Sequence, residues 1–485
     1  MWCSKASSEV NTVMVPSQSQ AHVTQLSPRV VIAAPQGRSG KTIVSIGLCA
    51  AFTRRGLSVQ PFKKGPDYID PSWLTAAAKR SCRNIDPFLI AEETWLTSFR
   101  RACQGADLAL VEGAMGLYDA IDSGGLGSTA YVARLLHAPV ILIVNTARMT
   151  RSIAAMIIGY QRFEPETNIA GVILNNVSGS RHERKLRTAV EQYCGIPVLG
   201  SIPRDHNLSI AERHLGIIPY REAQDSTAVI DRICHCLEGH LDLNGILAIA
   251  RSATGSYIAD VETLTKKAAV VRVGVMLDRV FTFYYPENLE ALTQAGADLV
   301  FIDSLQNQQL PDIDGLYIGG GFPELFLAEL EANSSLRQDI AQAIEDGLPV
   351  YAECAGLMYL CRGIRWHGQW YEMVGVIPSE VEICQQPQGH GYVVVEVTGD
   401  NPLFPIGLTL RGHEFHHSIL SQLTGLKFAY RMQRGQGING KVDAIVYKNV
   451  FAAYTHLHAL GVPQWAEAFV SLVLRERKCQ PSFLT

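Results

Sequence analysis

The apolar run Val30-Val31-Ile32-Ala33-Ala34 leads directly into Pro35-Gln36-Gly37-Arg38-Ser39-Gly40-Lys41-Thr42 and then into the helix-like stretch Ile43–Leu48. No other segment restricts the fold as tightly. A buried strand, a glycine-rich turn and a helix make a phosphate cradle, because loop N–H groups and the helix N-terminus converge on one anion. Gly37, Ser39, Gly40, Lys41 and Thr42 are therefore the expected ATP-binding set. Lys41 reaches the outer phosphates, and the Thr42 hydroxyl is placed to ligate Mg²⁺. The spacing departs from the standard form at Pro35, which stands in the place of the first glycine. An ordinary strand-to-helix turn is the competing reading of the loop by itself.

Two further segments bear on this site. Leu108-Ala109-Leu110-Val111-Glu112-Gly113 reads as a buried strand ending in a carboxylate. Ligands of open parallel sheets collect at the carboxyl ends of strands, so Glu112 is the expected acidic partner of Mg²⁺. Between the two lies Gln60–Pro71, read as a Gly/Pro-punctuated loop. Within it Lys63 and Tyr68 are assigned to substrate or phosphate contact, and Asp67 to the Mg²⁺ shell with Thr42 and Glu112. Solvated loop charges are the plainer alternative.

A second centre is marked by Leu348–Glu353, a strand running into Cys354-Ala355-Gly356 and an apolar helix. The turn exposes Cys354 as a nucleophile, and the helix N-terminus is expected to favour its thiolate. Attack on an amide needs oxyanion donors and a base. Gly320 and Gly321, which follow the strand Leu316–Ile318, supply the donors with Ala355, and His456, after the apolar run Val450–Ala453, is the base. A carboxylate two residues after such a base usually orients it, but that place holds His458. The dense segment Arg411–Ser418 lacks zinc-ligand spacing and is read as a substrate or domain contact, with a hydrogen-bonded structural cluster as the alternative.

The same alternation of apolar runs and amphipathic stretches organises the whole chain. Val30–Ala34, Leu108–Glu112, Val140–Asn145, Ile169–Asn175 and Pro197–Ile202 form one set of strands; Val271–Leu277, Asp298–Ile302, Gly315–Ile318 and Pro349–Glu353 form another. Continuous apolar strands between helices imply parallel sheets covered on both faces. The expected division is a flexible leader at 1–28, a first α/β domain at 29–250, a linker at 251–270 and a second α/β domain at 271–475. With 42 basic and 46 acidic residues interleaved there is no one-sided field for nucleic acid. No segment approaches the ~18 apolar residues of a membrane span, and the cysteines suit a reducing compartment, so a cytoplasmic location is expected.

Taken together these residues resemble the cobyrinic acid a,c-diamide synthases of the corrinoid glutamine amidotransferase group. The resemblance spans roughly residues 29–475 and rests on the GKT loop, Phe62-Lys63 with Gly65–Asp70, Glu112-Gly113 with Gly116-Leu117-Tyr118, Phe283–Asn288, Gly319–Glu324, Glu353-Cys354 and Gly412–His416. It implies a dethiobiotin-synthetase-like P-loop domain fused to a class I, triad-type glutamine amidotransferase domain. It also implies ATP as co-substrate with Mg²⁺, and glutamine and a tetrapyrrole polycarboxylate as the other substrates, amidated at the a- and c-carboxylates in cobalamin biosynthesis. A homodimer is left open. A close relative that amidates nickel-sirohydrochlorin on the way to coenzyme F430 shares nearly all these motifs. Lys64, Arg279 and Phe281-Thr282-Phe283 depart from the family pattern. From a different class, a partition-type P-loop ATPase with a degenerate C-terminal module is the rival; it gives no reason to keep Cys354, the glycine triplet and His456 together.

Overall fold

The computed structural model describes residues 23–25, 27–205, 208–213, 216–258 and 267–479, which fold into two α/β units with separate cores. The first is built on a seven-stranded sheet in the order Arg83–Ile85, Val59–Lys64, Leu108–Glu112, Arg29–Ala33, Val140–Asn145, Ile169–Val177, Val198–Pro203. Every neighbouring pair is parallel. Helices cover both faces, which is why the central strands are buried along their length and read as unbroken apolar runs. Arg29–Ala33 sits between Leu108–Glu112 and Val140–Asn145, and the chain extends first to one side of it and later to the other. Such a reversal opens a crevice at the carboxyl ends of the strands. The phosphate loop and Glu112 leave the sheet into it.

The second unit carries a nine-stranded sheet. Its first five strands, Ala297–Ile302, Val271–Met276, Gly315–Ile318, Val350–Glu353 and Val450–Ala453, are parallel. The sheet then continues antiparallel through Val442–Tyr447, Lys427–Arg434, Gly389–Val397 and Thr409–His416. A separate four-stranded sheet joins Gln369–Glu372, Cys361–Trp366, Ile377–Ile383 and Ser418–Ser421. The sequence reading stops at the parallel half. The antiparallel strands alternate buried and partly exposed residues, as Val393, Val395 and Val397 do against their neighbours, and so form no continuous apolar run.

Two segments differ from expectation. Gln60–Pro71 is not a loop: Val59–Lys64 is a buried strand, Ile69–Ala78 a helix, and only 65–68 links them. Lys63 disguises the strand, because its charge is met by buried carboxylates rather than by water. Residues 1–22 of the expected leader and 259–266 of the expected linker lie outside the described residues. Between those stretches, Val23–Gln25 pairs antiparallel with Ser256–Ile258.

The units dock through charged and aromatic contacts. Arg83 of the first forks onto Glu290 of the second at 2.7 and 2.8 Å and stands 3.5 Å from the buried Glu287. Tyr392 donates to Asp86 at 2.9 Å, and Phe88 packs on Tyr392 beneath the guanidinium groups of Arg411 and Arg434. Breaking a buried pair by removing one partner is costly, though Arg83 is part-exposed and Glu290 half-exposed. Arg83→Ala is expected to cost about 1–3 kcal/mol of docking stability, seen as faster proteolysis between the units and an earlier onset of thermal unfolding.

Candidate functional site

The phosphate loop ends at Gly40, whose φ of 96° lies in the left-handed region and turns the chain into the helix Lys41–Arg54. A side chain there would also collide with Asn175, whose Nδ2 donates to the Ser39 carbonyl at 2.9 Å. Asn175, in the strand Ile169–Val177 two places along the sheet, thus braces the loop; sequence reading took it only as a strand terminus. Gly37, by contrast, faces open space. Lys41 Nζ donates to the Met115 carbonyl at 2.7 Å and lies 3.4 Å from that of Gln36. Burial, and then the nearby Lys63, lower its pKa to about 8.

Beside the loop stands a compact ionic cluster. Lys63 Nζ pairs with Asp70 and with Glu112 Oε1 (2.9 Å), and lies 3.8 Å from Asp67. Thr42 Oγ1 is 2.7 Å from Glu112 Oε1 and 3.2 Å from Asp70 Oδ2. Burial disfavours the Lys63 ammonium, but Asp70 and Glu112 outweigh it and hold the pKa well above the usual lysine value. Burial likewise raises Glu112 against the pull of Lys63, whereas at Asp70 the Lys63 pairing and the Thr42 hydrogen bond win and hold the carboxyl low.

The structure therefore divides the two aspartates differently from the sequence reading. Asp67 Oδ1 accepts the N–H groups of Ile69 (2.9 Å) and Asp70 (3.1 Å), an Asx-type turn that starts the helix, while Asp70 is the aspartate facing Thr42 and Glu112. Among the described residues Glu112 Oε2 is buried without a partner. Such an oxygen, next to a hydroxyl and a second carboxylate, fits a hard divalent cation.

In the second unit Cys354 sits between the strand Val350–Glu353 and the helix Ala355–Leu360, with φ 51° and ψ −101°. This strained turn is held because its N–H donates to Ala453 O at 2.7 Å and because Gly356 packs on the end of the adjacent strand Gly315–Ile318. A Cβ at Gly356 would come 2.4 Å from the Ile318 carbonyl. The expectation of a standing thiolate needs correction. The helix has six residues, the side chain is buried, and burial followed by the Glu324 carboxylate pushes the thiol up, against the opposing Ala355 N–H. A buried, protonated thiol becomes a nucleophile only where a base can take its proton.

Cys354 Sγ itself lies 3.7 Å from the Phe415 carbonyl, and the expected base His456 is held on the neighbouring strand end by a carboxylate. His456 Nδ1 lies 3.3 Å from Glu353 Oε2. Gly320 backs its ring: a Cβ there would come 2.6 Å from His456 Cε1. Gly320 and Gly321 pair with Phe283 and Phe281, so the glycine strand is fixed in register beside the elbow. His456 also exchanges backbone hydrogen bonds with His413 (2.8 and 3.2 Å), and their rings stack at 4.9 Å. The segment Arg411–Ser418 is both a domain contact and a hydrogen-bonded structural edge beside His456: Arg411 donates to the Phe88 carbonyl of the first unit at 3.3 Å, while Glu414 accepts the N–H groups of Gln436 and Gly437 at 2.6 and 2.7 Å. His458 points elsewhere, its ring 4.4 Å from Tyr285 and its Nε2 3.8 Å from Glu287. Burial, then Arg83, lower its pKa to about 3, so it is neutral.

The two centres meet at Tyr68. Its ring leaves the phosphate side, stacks on Phe283 at 5.0 Å and 8°, and lies 4.5 Å from Tyr285 and 5.5 Å from both His413 and His456. Nearby, a cavity of about 430 Å³ between the units is lined by Asp67, Tyr68, Tyr220, Arg221, Thr282 and Tyr284. Of the departures noted in the sequence, Thr282 faces this cavity, Arg279 stacks over Phe326, and Lys64 is buried.

Residues 30–218 match the CobQ/CobB/MinD/ParA nucleotide-binding domain, and residues 272–463 the CobB/CobQ-like glutamine amidotransferase domain. Over 93% of its length the chain is 45% identical to a cobyrinate a,c-diamide synthase of Magnetococcus marinus, covering 98% of that protein. It is 41% identical to one of Archaeoglobus fulgidus, with 93% of this chain and 98% of that one aligned. A Methanosarcina acetivorans protein of the same name is 40% identical, with 91% of this chain and 95% of that one aligned. No described helix is long and apolar enough to cross a membrane.

Asp70 faces Thr42, whereas Asp67 is occupied by backbone N–H groups. By calorimetric titration with and without Mg²⁺, Asp70→Asn should weaken the Mg²⁺-dependent part of ATP affinity at least about tenfold, and Asp67→Asn clearly less. The opposite ranking would restore Asp67 to the metal shell.

Proposed function

The chain belongs to the cobyrinate a,c-diamide synthase family, and on that premise we propose that it amidates the a- and c-carboxylates of cobyrinate, with ATP activating each carboxylate and glutamine, or ammonia, supplying nitrogen. The observation that supports this reading is that Tyr68 links two clusters on one chain: Thr42, Lys63, Asp70 and Glu112 on one side, and His456 of the second unit, which also carries the Cys354 elbow, on the other. A partition-type ATPase would need only the first. Nickel-sirohydrochlorin is the less favoured acceptor, since the relatives carry the cobyrinate name.

In the first unit the loop N–H groups and Lys41 bind the ATP phosphates, with Lys41 exchanging its carbonyl partners for phosphate oxygens. Thr42, Asp70 and Glu112 would hold Mg²⁺, which neutralises phosphate charge when bound. Lys63, fixed by its carboxylates, draws the acceptor carboxylate towards the γ-phosphate. Transfer gives an acyl phosphate; ammonia adds to its carbonyl, and phosphate leaves as the amide forms. The cavity beside Asp67 and Tyr68, with the Arg221 guanidinium and the Tyr220 and Tyr284 rings, offers apolar walls and one cation to a tetrapyrrole edge bearing carboxylates.

In the second unit His456 takes the Cys354 proton as sulfur attacks the glutamine amide carbon. The N–H groups of Ala355, Gly320 and Gly321 face the oxyanion. Collapse expels ammonia, protonated by His456, and water then hydrolyses the thioester to glutamate. The reaction suits the cytoplasm, where the free thiols of this chain persist.

Cys354→Ala should abolish glutamine-dependent synthesis yet keep ammonia-dependent synthesis, because added ammonia bypasses the thioester but not ATP activation. The ratio of the two rates at fixed ATP and acceptor is the measurement, and substantial glutamine use by this variant would remove Cys354 from the reaction. With the parent protein, parallel assays on cobyrinate and nickel-sirohydrochlorin, followed by ATP-dependent mass change, should show two amides added to cobyrinate; preference for the nickel tetrapyrrole would overturn the acceptor.

A further inference from the structure

The place two residues after the base, where a carboxylate usually orients it, is filled by a neutral histidine turned towards Glu287, and a carboxylate reaches the base from another direction. Glu353 is the last residue of the strand Val350–Glu353, which runs parallel to Val450–Ala453 with Glu353 opposite Ala453. The register puts a side chain immediately before the nucleophile next to the segment that carries the base. Glu353 is 1% exposed, and such a carboxylate needs its oxygens occupied. Oε1 accepts the Tyr351 hydroxyl at 2.9 Å and the Leu457 N–H at 3.1 Å; Oε2 accepts the Tyr317 hydroxyl at 3.2 Å and faces His456 Nδ1 at 3.3 Å. Three donors fix the carboxylate, and the fourth contact is the imidazole.

We infer that Glu353 is the positioning residue of the glutaminase base: it accepts the Nδ1 proton of His456, selects the tautomer whose Nε2 is free, and stabilises the imidazolium formed when Cys354 gives up its proton. The acid of the triad has moved from the histidine's loop to the nucleophile's strand. The proton passes from Cys354 Sγ to His456 Nε2 as the S–C bond forms, and from Nε2 to the departing ammonia as the C–N bond breaks. The segment is held from its other side by Asn288, which donates to Leu457 O (2.9 Å) and accepts from Ala459 N–H (2.7 Å), so His456 needs nothing from His458. The inference rests on the proposed roles of Cys354 and His456.

The test is glutamine hydrolysis by Glu353→Gln, Glu353→Asp, His458→Ala and Cys354→Ala across pH. The titratable groups facing His456 are Glu353 on the neighbouring strand, His413 on Thr409–His416 and Tyr68 from the first unit. Glu353→Gln should lower kcat roughly 10²- to 10⁴-fold with little change in KM for glutamine. Its acid limb should shift to lower pH, because the base has lost the charge that favours its protonated form. Glu353→Asp should recover part of the rate, and His458→Ala should leave the limb in place. A Glu353→Gln rate within about threefold of the parent, or a slower rate with an unmoved limb, would overturn the inference. Retention of hydrolysis by Cys354→Ala would instead strike the glutaminase reading itself. Independently of any variant's folding, ¹⁵N histidine spectra of the parent protein should show His456 protonated at Nδ1; the Nε2–H tautomer would overturn the assignment as well.

Discussion

A single buried ammonium group organises the molecule's centre. Lys63 is the next-to-last residue of a strand, Asp70 lies in the first turn of the next helix, and their ion pair closes the four-residue link between the two elements. Removing that ammonium from water is costly unless carboxylates meet it, and Asp70 and Glu112 do so within the crevice where the phosphate loop ends. Glu112 also holds Thr42, so the pairing that stabilises Lys63 positions the cation ligands and the helix of the phosphate loop. With both ends of the link pinned, Tyr68 is directed away from the phosphates and into the aromatic wall of the second unit.

This arrangement relates the two chemistries. The residues proposed to activate the acceptor and the base proposed to release ammonia belong to different sheets, yet one aromatic side chain touches the second centre while its chain neighbours build the first. The docking contacts around Arg83, Asp86 and Phe88 keep the units in this register, and Glu287 joins Arg83 to the neighbourhood of His458.

How much of this the sequence discloses depends on the physics of each segment. Strands buried on both faces give continuous apolar runs, so Leu108–Glu112, Val140–Asn145 and Gly315–Ile318 are legible to the residue. Val59–Lys64 is not, because its two lysines look solvated, although both are buried and Lys63 is met by carboxylates. The antiparallel strands bury one face and lose the signal. At the candidate sites, Lys41, Cys354 and His456 follow from local context. Asp70 could not be told from Asp67 until the helix start was fixed, since the aspartate that caps the turn is not free to face Thr42. Glu353 escaped notice because the sequence shows it only as the nucleophile's neighbour; parallel pairing with Val450–Ala453 brings it to the histidine.

The central claim is that the cluster around Lys63 brings an acceptor carboxylate and the γ-phosphate together, so that amidation proceeds through an acyl phosphate. Cobyrinate labelled with ¹⁸O in its carboxylates tests this most directly, with the phosphate released during synthesis examined by mass spectrometry. One ¹⁸O atom should appear in phosphate for every amide formed. Phosphate without label, at the same amide yield, would show that ATP is not spent on the carboxylate and would contradict the account.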